Sequence, residues 1–415
     1  MRPDLGRDNF RHVVAGSTVF KLLSPSGSGM SKETTPVIAK AYRTPQGKQD
    51  GVFSEVRSED LSIPLINEIL AATGLDSGHV DDLMWGVAQQ RGEQDNNVAR
   101  IISILSDLGE EVPGTTINRW CASSMQAVMS ASDAVRAGQR DCLVVGGVES
   151  MTRVPMEGAY EGRNFHPRLQ EEYNLADLQM GMTAEKVAEE YDVGRDEQDE
   201  YGYRSHMRAA EATERGRFED QIVPVEGTDD EGNSITVTQD EGIRPNTTVE
   251  KMGQLPTVFK ADGTVTPGNS SQISDGAAAL LVTSEAFAED YGLDVMAYVG
   301  DHNVAGVDPT VMGIGPVPAT KGLLERTGES IDEFDLVELN EAFASQTLYA
   351  QRELGVPDEK FNVNGGAIAI GHPLGASGAR LPVTLIHELN HRSLDKGLAT
   401  LCVGFGQGGA ITFTR

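Results

Sequence analysis

The sequence is poor in cysteine and in basic residues, and it has no long apolar run. Three cysteines in 415 residues are too few for a disulfide framework, so we expect reduced thiols and a cytoplasmic protein. No stretch approaches the ~20 consecutive apolar residues of a membrane span, so a membrane protein is not expected. Lysine and arginine number 34 against 63 acidic residues, giving a net charge of −29. That excess argues against nucleic-acid and anionic-membrane partners, because phosphate contacts need clustered basic side chains.

The acidic composition has a further interpretation. Only ten of the 34 basic residues are lysine, and the others are arginine. An acid excess with little lysine is typical of a surface adapted to strong salt, where screening removes the self-repulsion of a highly charged fold. The alternative is an acidic enzyme from an ordinary environment. This hypothesis concerns habitat and leaves the chemistry open.

The chain changes character three times along its length. Residues 1–34 are expected to be a disordered extension, since an interrupted apolar patch is followed by a Ser- and Gly-rich linker. From Thr35, strand and helix patterns alternate, which favours an α/β fold with a sheet covered on both faces. A charged stretch then carries a hairpin pattern with its tip at 229–233 and a helix pattern over 195–215. We interpret this stretch as an insertion, after which strands and helices resume.

Cys121 is the first candidate for catalysis. It follows a predicted strand at 115–117 and a short turn, and it opens a predicted helix that ends at Gly138. A cysteine in the first turn of a helix feels the positive end of the helix dipole, which stabilises the thiolate. The alternative is a small buried apolar side chain, which free cysteine often is. The spacing leaves both interpretations open.

His372 and Cys402 are further candidates beside glycines. His372 lies in the run 364–378, whose five glycines allow close backbone approach, and its imidazole could serve as a base for a thiol. A phosphate loop is the rival interpretation, but no GK[ST] follows, and a surface-turn histidine stays open as well. Cys402 ends a predicted strand, where α/β sheets place active-site groups, although a buried structural thiol fits equally. Cys142 lies inside an apolar strand and is interpreted as structural.

One motif points to different chemistry. His387-Glu388-Leu389-Asn390-His391 matches the H-E-x-x-H pattern, in which two histidines one turn apart bind zinc. The pattern is short, and no further histidine follows it. We therefore interpret it as the solvated face of a helix over 381–391, and we expect no metal site.

Four sequence blocks, in order, resemble those of the thiolase family across nearly all of residues 35–415. The blocks are 118–124 around Cys121, Asn340-Glu341-Ala342-Phe343, Gly371-His372-Pro373 and Cys402-Val403-Gly404. The resemblance implies the α/β thiolase fold, with two similar βαβαβαββ halves packed together and an inserted loop domain. The implied divisions are 1–34 for the extension, 35–154 with 272–291 for the N-terminal half, 155–271 for the loop domain and 292–415 for the C-terminal half.

The resemblance also implies a reaction: the reversible Claisen condensation of two acetyl-CoA molecules to acetoacetyl-CoA and CoA. Cys121 would carry the acyl group, His372 would activate its thiol, and Cys402 would exchange a proton with C2 of the second acetyl-CoA. Asn340, through a bound water, and His372 would form one oxyanion hole. The backbone N–H groups of Cys121 and Gly404 would form the other. No cofactor beyond the acyl-CoA and CoA substrates is implied, and the family's members suggest a homo-oligomer, either a dimer or a tetramer.

Contacts with CoA are carried over from the same resemblance. Arg244 would offer a cation to the anionic CoA. The sequence departs from the family's pattern at Ser124, Gln179, Gln272 and Phe405. Gln179 and Phe405 leave the acyl-chain preference open, since bulk near the acyl pocket would reshape it. The full set of implied CoA contacts is Ser271, Arg244, Met180, Phe259, Ala342 and Phe343.

Three alternatives remain beside acetoacetyl-CoA formation. A degradative 3-oxoacyl-CoA thiolase acting on longer chains shares all four blocks. A ketoacyl synthase fits less well, because the NEAF block and the second cysteine suit thiolysis better. A non-catalytic acyl-CoA-binding scaffold would be expected to have lost one of the four reacting groups, and all four are present.

The acid excess predicts that stability depends on salt. Raising KCl from about 0.1 M to about 2 M is expected to raise the melting temperature by about 5 °C or more, because screening weakens repulsion among the 63 acidic side chains. Thermal unfolding followed by circular dichroism measures this, with glycerol of equal osmolarity as the control. An unchanged melting temperature would contradict the salt-adapted interpretation.

Overall fold

The computed structural model describes residues 31–156 and 165–415. Residues 1–30 of the predicted extension lie outside this part of the chain, and Lys32–Thr34 forms a short 3-10 turn. The strands are β1 (Pro36–Arg43), β2 (Gly47–Lys48), β3 (Asp82–Gly86), β4 (Gly114–Ile117), β5 (Cys142–Ser150), β6 (Val225–Thr228), β7 (Ser234–Val237), β8 (Ser274–Ser284), β9 (Ala297–Gly306), β10 (Leu336–Leu339), β11 (Lys396–Val403) and β12 (Gln407–Thr414). The helices are α1 (Ser58–Thr73), α2 (Val98–Leu105), α3 (Ser123–Arg136), α4 (Pro167–Glu172), α5 (Met180–Glu190), α6 (Arg195–Glu214), α7 (Val249–Gly253), α8 (Glu285–Asp290), α9 (Pro316–Thr327), α10 (Ala344–Leu354), α11 (Ala367–Ile370) and α12 (Leu374–Arg392).

The main sheet is built from one strand pattern used twice. Its order is β10-β11-β12-β9-β1-β8-β5-β3-β4, with β2 on β8. In the first half β1, β8 and β5 pair antiparallel and β5 pairs parallel with β3. In the second half β9, β12 and β11 pair antiparallel and β11 pairs parallel with β10. This repetition confirms the two similar halves, whereas the predicted division boundaries stay a prediction.

Side chains alternate between the two faces of the sheet, which places helices α3 and α12 in the centre of the molecule. On β5, Leu143 and Val145 join the central core with α3 and α12, whereas Val144 packs in a separate core with α1. On β11, Leu401 belongs to the central core and Leu398 to a third core with α9 and α10. Because each such side chain contributes about 1.5–3 kcal/mol when buried, the three cores hold these layers together.

The helix that carries the H-E-x-x-H motif is buried, so its interpretation as a solvated face is wrong. His387 is 7% exposed, and its Nε2 lies 2.9 Å from the carbonyl oxygen of Ala41. The Glu388 carboxylate accepts hydrogen bonds from Asn364 and Arg392 instead of facing a metal. Among the described residues, no group of three or more His, Cys, Asp or Glu side chains is arranged to hold a metal ion. The motif is therefore a packing feature of α12.

Between β5 and β8 the chain forms helices α4–α7 and the β6–β7 hairpin. The predicted helix over 195–215 is confirmed as α6, and the hairpin is confirmed with its first strand beginning at Val225. Within the described part of the chain, no helix combines the length and apolarity needed to cross a bilayer.

One buried carboxylate attaches the insertion to the C-terminal half. Glu341, 1% exposed, accepts hydrogen bonds from the hydroxyls of Tyr201 at 2.8 Å and Ser205 at 2.6 Å, both on α6. It also accepts from Asn362 Nδ2 at 3.2 Å and from the Ile368 backbone N–H at 3.1 Å. Four donors directed at one carboxylate require an acceptor at each oxygen.

Replacing this carboxylate by an amide is expected to destabilise the fold. Glu341→Gln places an NH₂ group among four donors, which should lower the free energy of unfolding by about 2–4 kcal/mol. Denaturant unfolding measures the change. The matched control is Glu353→Gln, whose carboxylate forms a surface ion pair with Lys321 and should matter by less than about 1 kcal/mol. Equal losses in the two variants would contradict the anchoring role.

Candidate active site

Both halves of the molecule contribute to one cavity of about 530 Å³. Cys121, on the segment between β4 and α3, lines it together with His372, which precedes α12, and Cys402 of β11. Asn340 directly follows β10, and its Nδ2 lies 3.2 Å from His372 Nε2. The repeated topology therefore brings the equivalent ends of the two halves together, and Cys121, His372 and Cys402 line one cavity.

Cys121 lies before the helix and not in its first turn, which corrects the sequence prediction. α3 begins at Ser123, and the preceding Trp120 has a φ of +46°. Burial raises the pKa of Cys121 to about 12; a hydrogen bond from the Gly404 backbone N–H opposes this rise, and the charge of Glu149 adds to it. The resting side chain is therefore a thiol that needs a base, and not a helix-stabilised thiolate.

His372 is held as a neutral imidazole with one ring nitrogen as donor and the other as acceptor. Its Nδ1 lies 2.6 Å from Ser377 Oγ, and that hydroxyl donates to the Pro373 carbonyl at 2.8 Å. Because the hydroxyl has a single proton, we infer that it accepts from Nδ1–H, leaving Nε2 as the acceptor. Burial, with the nearby Arg380 guanidinium, lowers the pKa of His372 to about 3. Ser377 was given no role from sequence, since only its place in the same glycine-rich run pointed to it.

Asn340 is fixed through its backbone as well as its side chain. Its N–H donates to the Thr400 carbonyl at 3.0 Å, and its carbonyl accepts from Gln346 Nε2 at 2.9 Å. Its Oδ1 lies 3.5 Å from Arg380 Nη2, which turns Nδ2 toward His372. The amide is thereby presented to the cavity side of the imidazole as a donor.

Cys402 is fully buried, and its ionisation is opposed by its surroundings. Burial is the main cause that raises the pKa of Cys402, and the proximity of Cys121 adds to it. Two neighbouring buried thiols cannot both be ionised cheaply, because each negative charge raises the cost of the other. The arrangement suits a reaction in which the two thiols carry charge in turn.

Gln272, which departs from the family pattern, supports the segment that holds His372. Its Nε2 lies within 3.0 Å of the carbonyl oxygens of Gly242, Ile368 and Ala369. Its own backbone carbonyl accepts from the His372 N–H at 3.2 Å. The side chain therefore connects α11 to the segment that holds the imidazole.

Five of the six residues assigned to CoA contacts line the same cavity: Met180, Phe259, Ser271, Ala342 and Phe343. Arg244 is exposed and is not among the lining residues, and its backbone N–H donates to His206 Nδ1 at 3.1 Å. Gln179 lines the cavity, whereas Phe405 does not. Sequence reasoning missed nine lining residues, which come from separate segments without a shared pattern: Met151, Met156, Gly181, Val258, Pro267, Ser270, Ile273, Met312 and Leu374.

Known proteins share this fold and sequence over most of the chain. Residues 36–286 match the family described as "Thiolase, N-terminal domain", and residues 293–415 match "Thiolase, C-terminal domain". The 3-ketoacyl-CoA thiolase of Pseudoalteromonas translucida is 48% identical over 92% of this chain and 98% of its own length. The Bacillus anthracis acetyl-CoA acetyltransferase structure superposes with a TM-score of 0.84 at 38% identity, covering 92% of this chain and 98% of that one. Human mitochondrial 3-ketoacyl-CoA thiolase gives 0.84 at 35% identity, covering 92% and 100%.

The buried imidazole predicts a pH-dependent stability. Below about pH 6.5 the unfolded chain binds a proton at His372, whereas the native imidazole, with its pKa near 3, stays neutral. The free energy of unfolding therefore falls as the pH falls through this range, since the unfolded state binds more protons. Between about pH 6.5 and about pH 5, the wild type should lose about 2 kcal/mol more than His372→Gln in denaturant unfolding.

The control for this measurement is Ser132→Ala, which removes a buried hydroxyl bonded to the Met129 carbonyl and no titratable group. Relative to the wild type, Ser132→Ala should lower the free energy of unfolding by a similar amount at both pH values. A His372→Gln variant with the same pH dependence as the wild type would contradict a buried neutral imidazole.

Proposed function

Because this chain belongs to the thiolase family, we propose that it acts as a 3-oxoacyl-CoA thiolase, cleaving 3-oxoacyl-CoA with CoA into acetyl-CoA and a shortened acyl-CoA. The observation that carries the proposal is the meeting of Cys121, His372 and Cys402 in one apolar cavity. Acetoacetyl-CoA formation was the main expectation from sequence. The relatives named 3-ketoacyl-CoA thiolase, at 46–48% identity, support the degradative alternative better.

The first half-reaction begins with a neutral pair. His372 Nε2 takes the proton of the Cys121 thiol, and the resulting thiolate attacks C3 of the substrate. The bond between C2 and C3 then breaks, leaving the acyl group on sulfur, and the acetyl-CoA enolate takes a proton at C2 from Cys402. Covalent capture divides one difficult carbon–carbon cleavage into two easier steps.

The second half-reaction restores both thiols. The Cys402 thiolate takes the proton of the incoming CoA thiol, whose sulfur attacks the acyl group on Cys121. The bond from the carbonyl to Cys121 breaks, the shortened acyl-CoA leaves, and His372 returns its proton to the Cys121 sulfur. Each group ends in its starting state, so the cycle consumes only substrate and CoA.

Negative charge develops on carbonyl oxygens in both half-reactions. We assign the enolate oxygen to Asn340, through a bound water, and to the protonated His372. The oxygen of the acyl intermediate is assigned to the N–H groups of Cys121 and Gly404. One preorganised donor of this kind is commonly worth about 3–4 kcal/mol of transition-state stabilisation.

The lining of the cavity supports substrates of more than one chain length. Four methionines, Met151, Met156, Met180 and Met312, contribute to it. Methionine side chains are unbranched and adaptable, so they can pack against acyl groups of different size. The homo-oligomeric state implied by the resemblance stays a prediction.

A substrate comparison tests the proposal. Acetoacetyl-CoA and a long-chain 3-oxoacyl-CoA are each incubated with CoA in molar KCl, and the loss of the 3-oxoacyl-CoA absorbance is followed. Turnover of both substrates is expected. Turnover of acetoacetyl-CoA alone would support the short-chain enzyme instead, and turnover of neither by folded protein would overturn the proposal.

Cysteine variants identify the nucleophile in the same assay. Cys121→Ala is expected to lower kcat by about 10⁴-fold or more, because no sulfur remains to carry the acyl group. Cys142→Ala is the matched control, since Cys142 is also buried but lies within β5 away from the cavity lining. Mass spectrometry should find the acyl group on Cys121 in the wild type after reaction without CoA.

A further inference from the structure

Two aromatic residues beside the reacting groups adopt backbone conformations that side chains ordinarily avoid. Trp120 has a φ of +46° and Phe405 a φ of +60°. Residues other than glycine pay a steric penalty in this region and remain there only when their surroundings impose it, a pattern that concentrates at functional sites. Glycine would occupy position 405 at lower steric cost, so the phenyl ring must make a compensating contact.

The two rings contact each other across two different loops. Trp120 belongs to the loop between β4 and α3, and Phe405 to the loop between β11 and β12. Their ring centroids are 5.3 Å apart with a tilt of 40°, and the Phe165 ring covers Phe405 from a further side at 5.5 Å. Neither Trp120 nor Phe405 is among the residues that line the cavity. A direct effect of Phe405 on the acyl chain is therefore not the best account of its presence.

Each ring is adjacent in sequence to a proposed oxyanion-hole donor. Trp120 precedes Cys121, and Phe405 follows Gly404, whose N–H donates to the Cys121 thiol. The Trp120 ring also covers Gly404, because a Cβ at that position would lie 3.4 Å from it. The two loops thus contact each other at two places, the Cys121 thiol and the ring pair.

A polar contact also joins the two loops that the ring pair connects. Arg119 Nη1 donates to Gln407 Oε1 at 3.0 Å, and Gln407 Nε2 lies 3.5 Å from the Gly404 carbonyl. The polar contact joins Arg119 of the first loop to the first residue of β12, whereas the ring pair stands directly beside the residues that carry the N–H donors.

We propose that Trp120 and Phe405 form a positioning pair whose ring contact holds the Gly404 N–H against Cys121. The inference deepens and rests on the proposed thiolase function. The pair acts on the geometry of the acyl-enzyme step and leaves CoA binding unaffected, because neither ring lines the cavity. Its loss should therefore lower kcat while KM changes little.

A double-mutant cycle in the full-length protein tests this coupling. Phe405→Leu and Trp120→Leu are each expected to lower the kcat of thiolysis by about tenfold, with KM within about twofold, since a small displacement of a donor is costly. The double variant should be no slower than either single variant, because both remove one shared contact. Phe405→Tyr keeps a ring and should retain kcat within about twofold.

The control removes an aromatic contact elsewhere. Phe287→Leu disrupts the stacked pair formed by Phe287 of α8 and Tyr291 directly after it, with ring centroids 4.3 Å apart, and should leave kcat unchanged. Wild-type kcat in Phe405→Leu would overturn the proposal. Losses that multiply in the double variant would overturn it as well, because they would show two independent effects.

A second readout separates this proposal from the proposed function. Labelling of Cys121 by iodoacetamide, located by mass spectrometry, does not require turnover. Loss of the Gly404 hydrogen bond disfavours the thiolate, so Phe405→Leu should label about threefold more slowly than the wild type or slower still. Equal or faster labelling would overturn the positioning pair, whereas absent thiolysis in the wild type would overturn only the proposed function.

Discussion

Burial of the reacting groups is the constraint on which the rest of the site depends. Cys121, His372 and Cys402 are each no more than 5% exposed, and burial disfavours the charged form of all three. The resting site is therefore neutral, although thiolysis requires a thiolate and then an oxyanion. Bulk solvent does not surround those charges, so fixed donors, including the bound water assigned to Asn340, must stabilise them, and such a donor is effective only at the right place. The surrounding residues must therefore hold these donors in precise positions.

Buried carboxylates at the junction of the two halves help to hold these positions. Glu149, at the end of β5, accepts hydrogen bonds from the backbone N–H groups of Ala88 and Gln89 and from Gln94 Nε2. It also accepts from the Gly375 N–H at the start of α12, one turn beyond His372. The carboxylate thus joins the first half to the segment that presents the base. The negative charge of Glu149 disfavours the Cys121 thiolate, because it adds to the rise in the Cys121 pKa. The Gly404 N–H acts in the opposite direction and lowers that pKa.

Features with a local signal could be predicted from sequence, and features created by distant contacts could not. α6 follows from its charge pattern, and the reacting groups lie in short blocks with recognisable spacing. The Ser377 hydroxyl and the Gln272 amide act through partners that only folding brings near. The burial of α12 was not predicted for the same reason. A helix that ends in polar residues is ordinarily a surface helix, but here both halves pack around it. Cys121 lies two residues before its helix because the turn at Trp120 delays the first helical residue.

Two departures from the family pattern, Ser124 and Gln272, occur at supporting positions, and each forms hydrogen bonds with the residues it faces. Ser124 stands where glycine is frequent, and its Oγ accepts the Ala379 N–H at 2.8 Å, which joins α3 to α12. That approach requires Gly378, because a Cβ there would lie 2.4 Å from the Met125 backbone nitrogen. Reacting groups are constrained by chemistry, and few side chains can replace a thiol or an imidazole. Supporting groups are constrained only by geometry, so they can change provided that their neighbours change with them. The rate of this enzyme should therefore depend on such supporting groups, whereas its acyl-chain preference should follow from the residues that line the cavity.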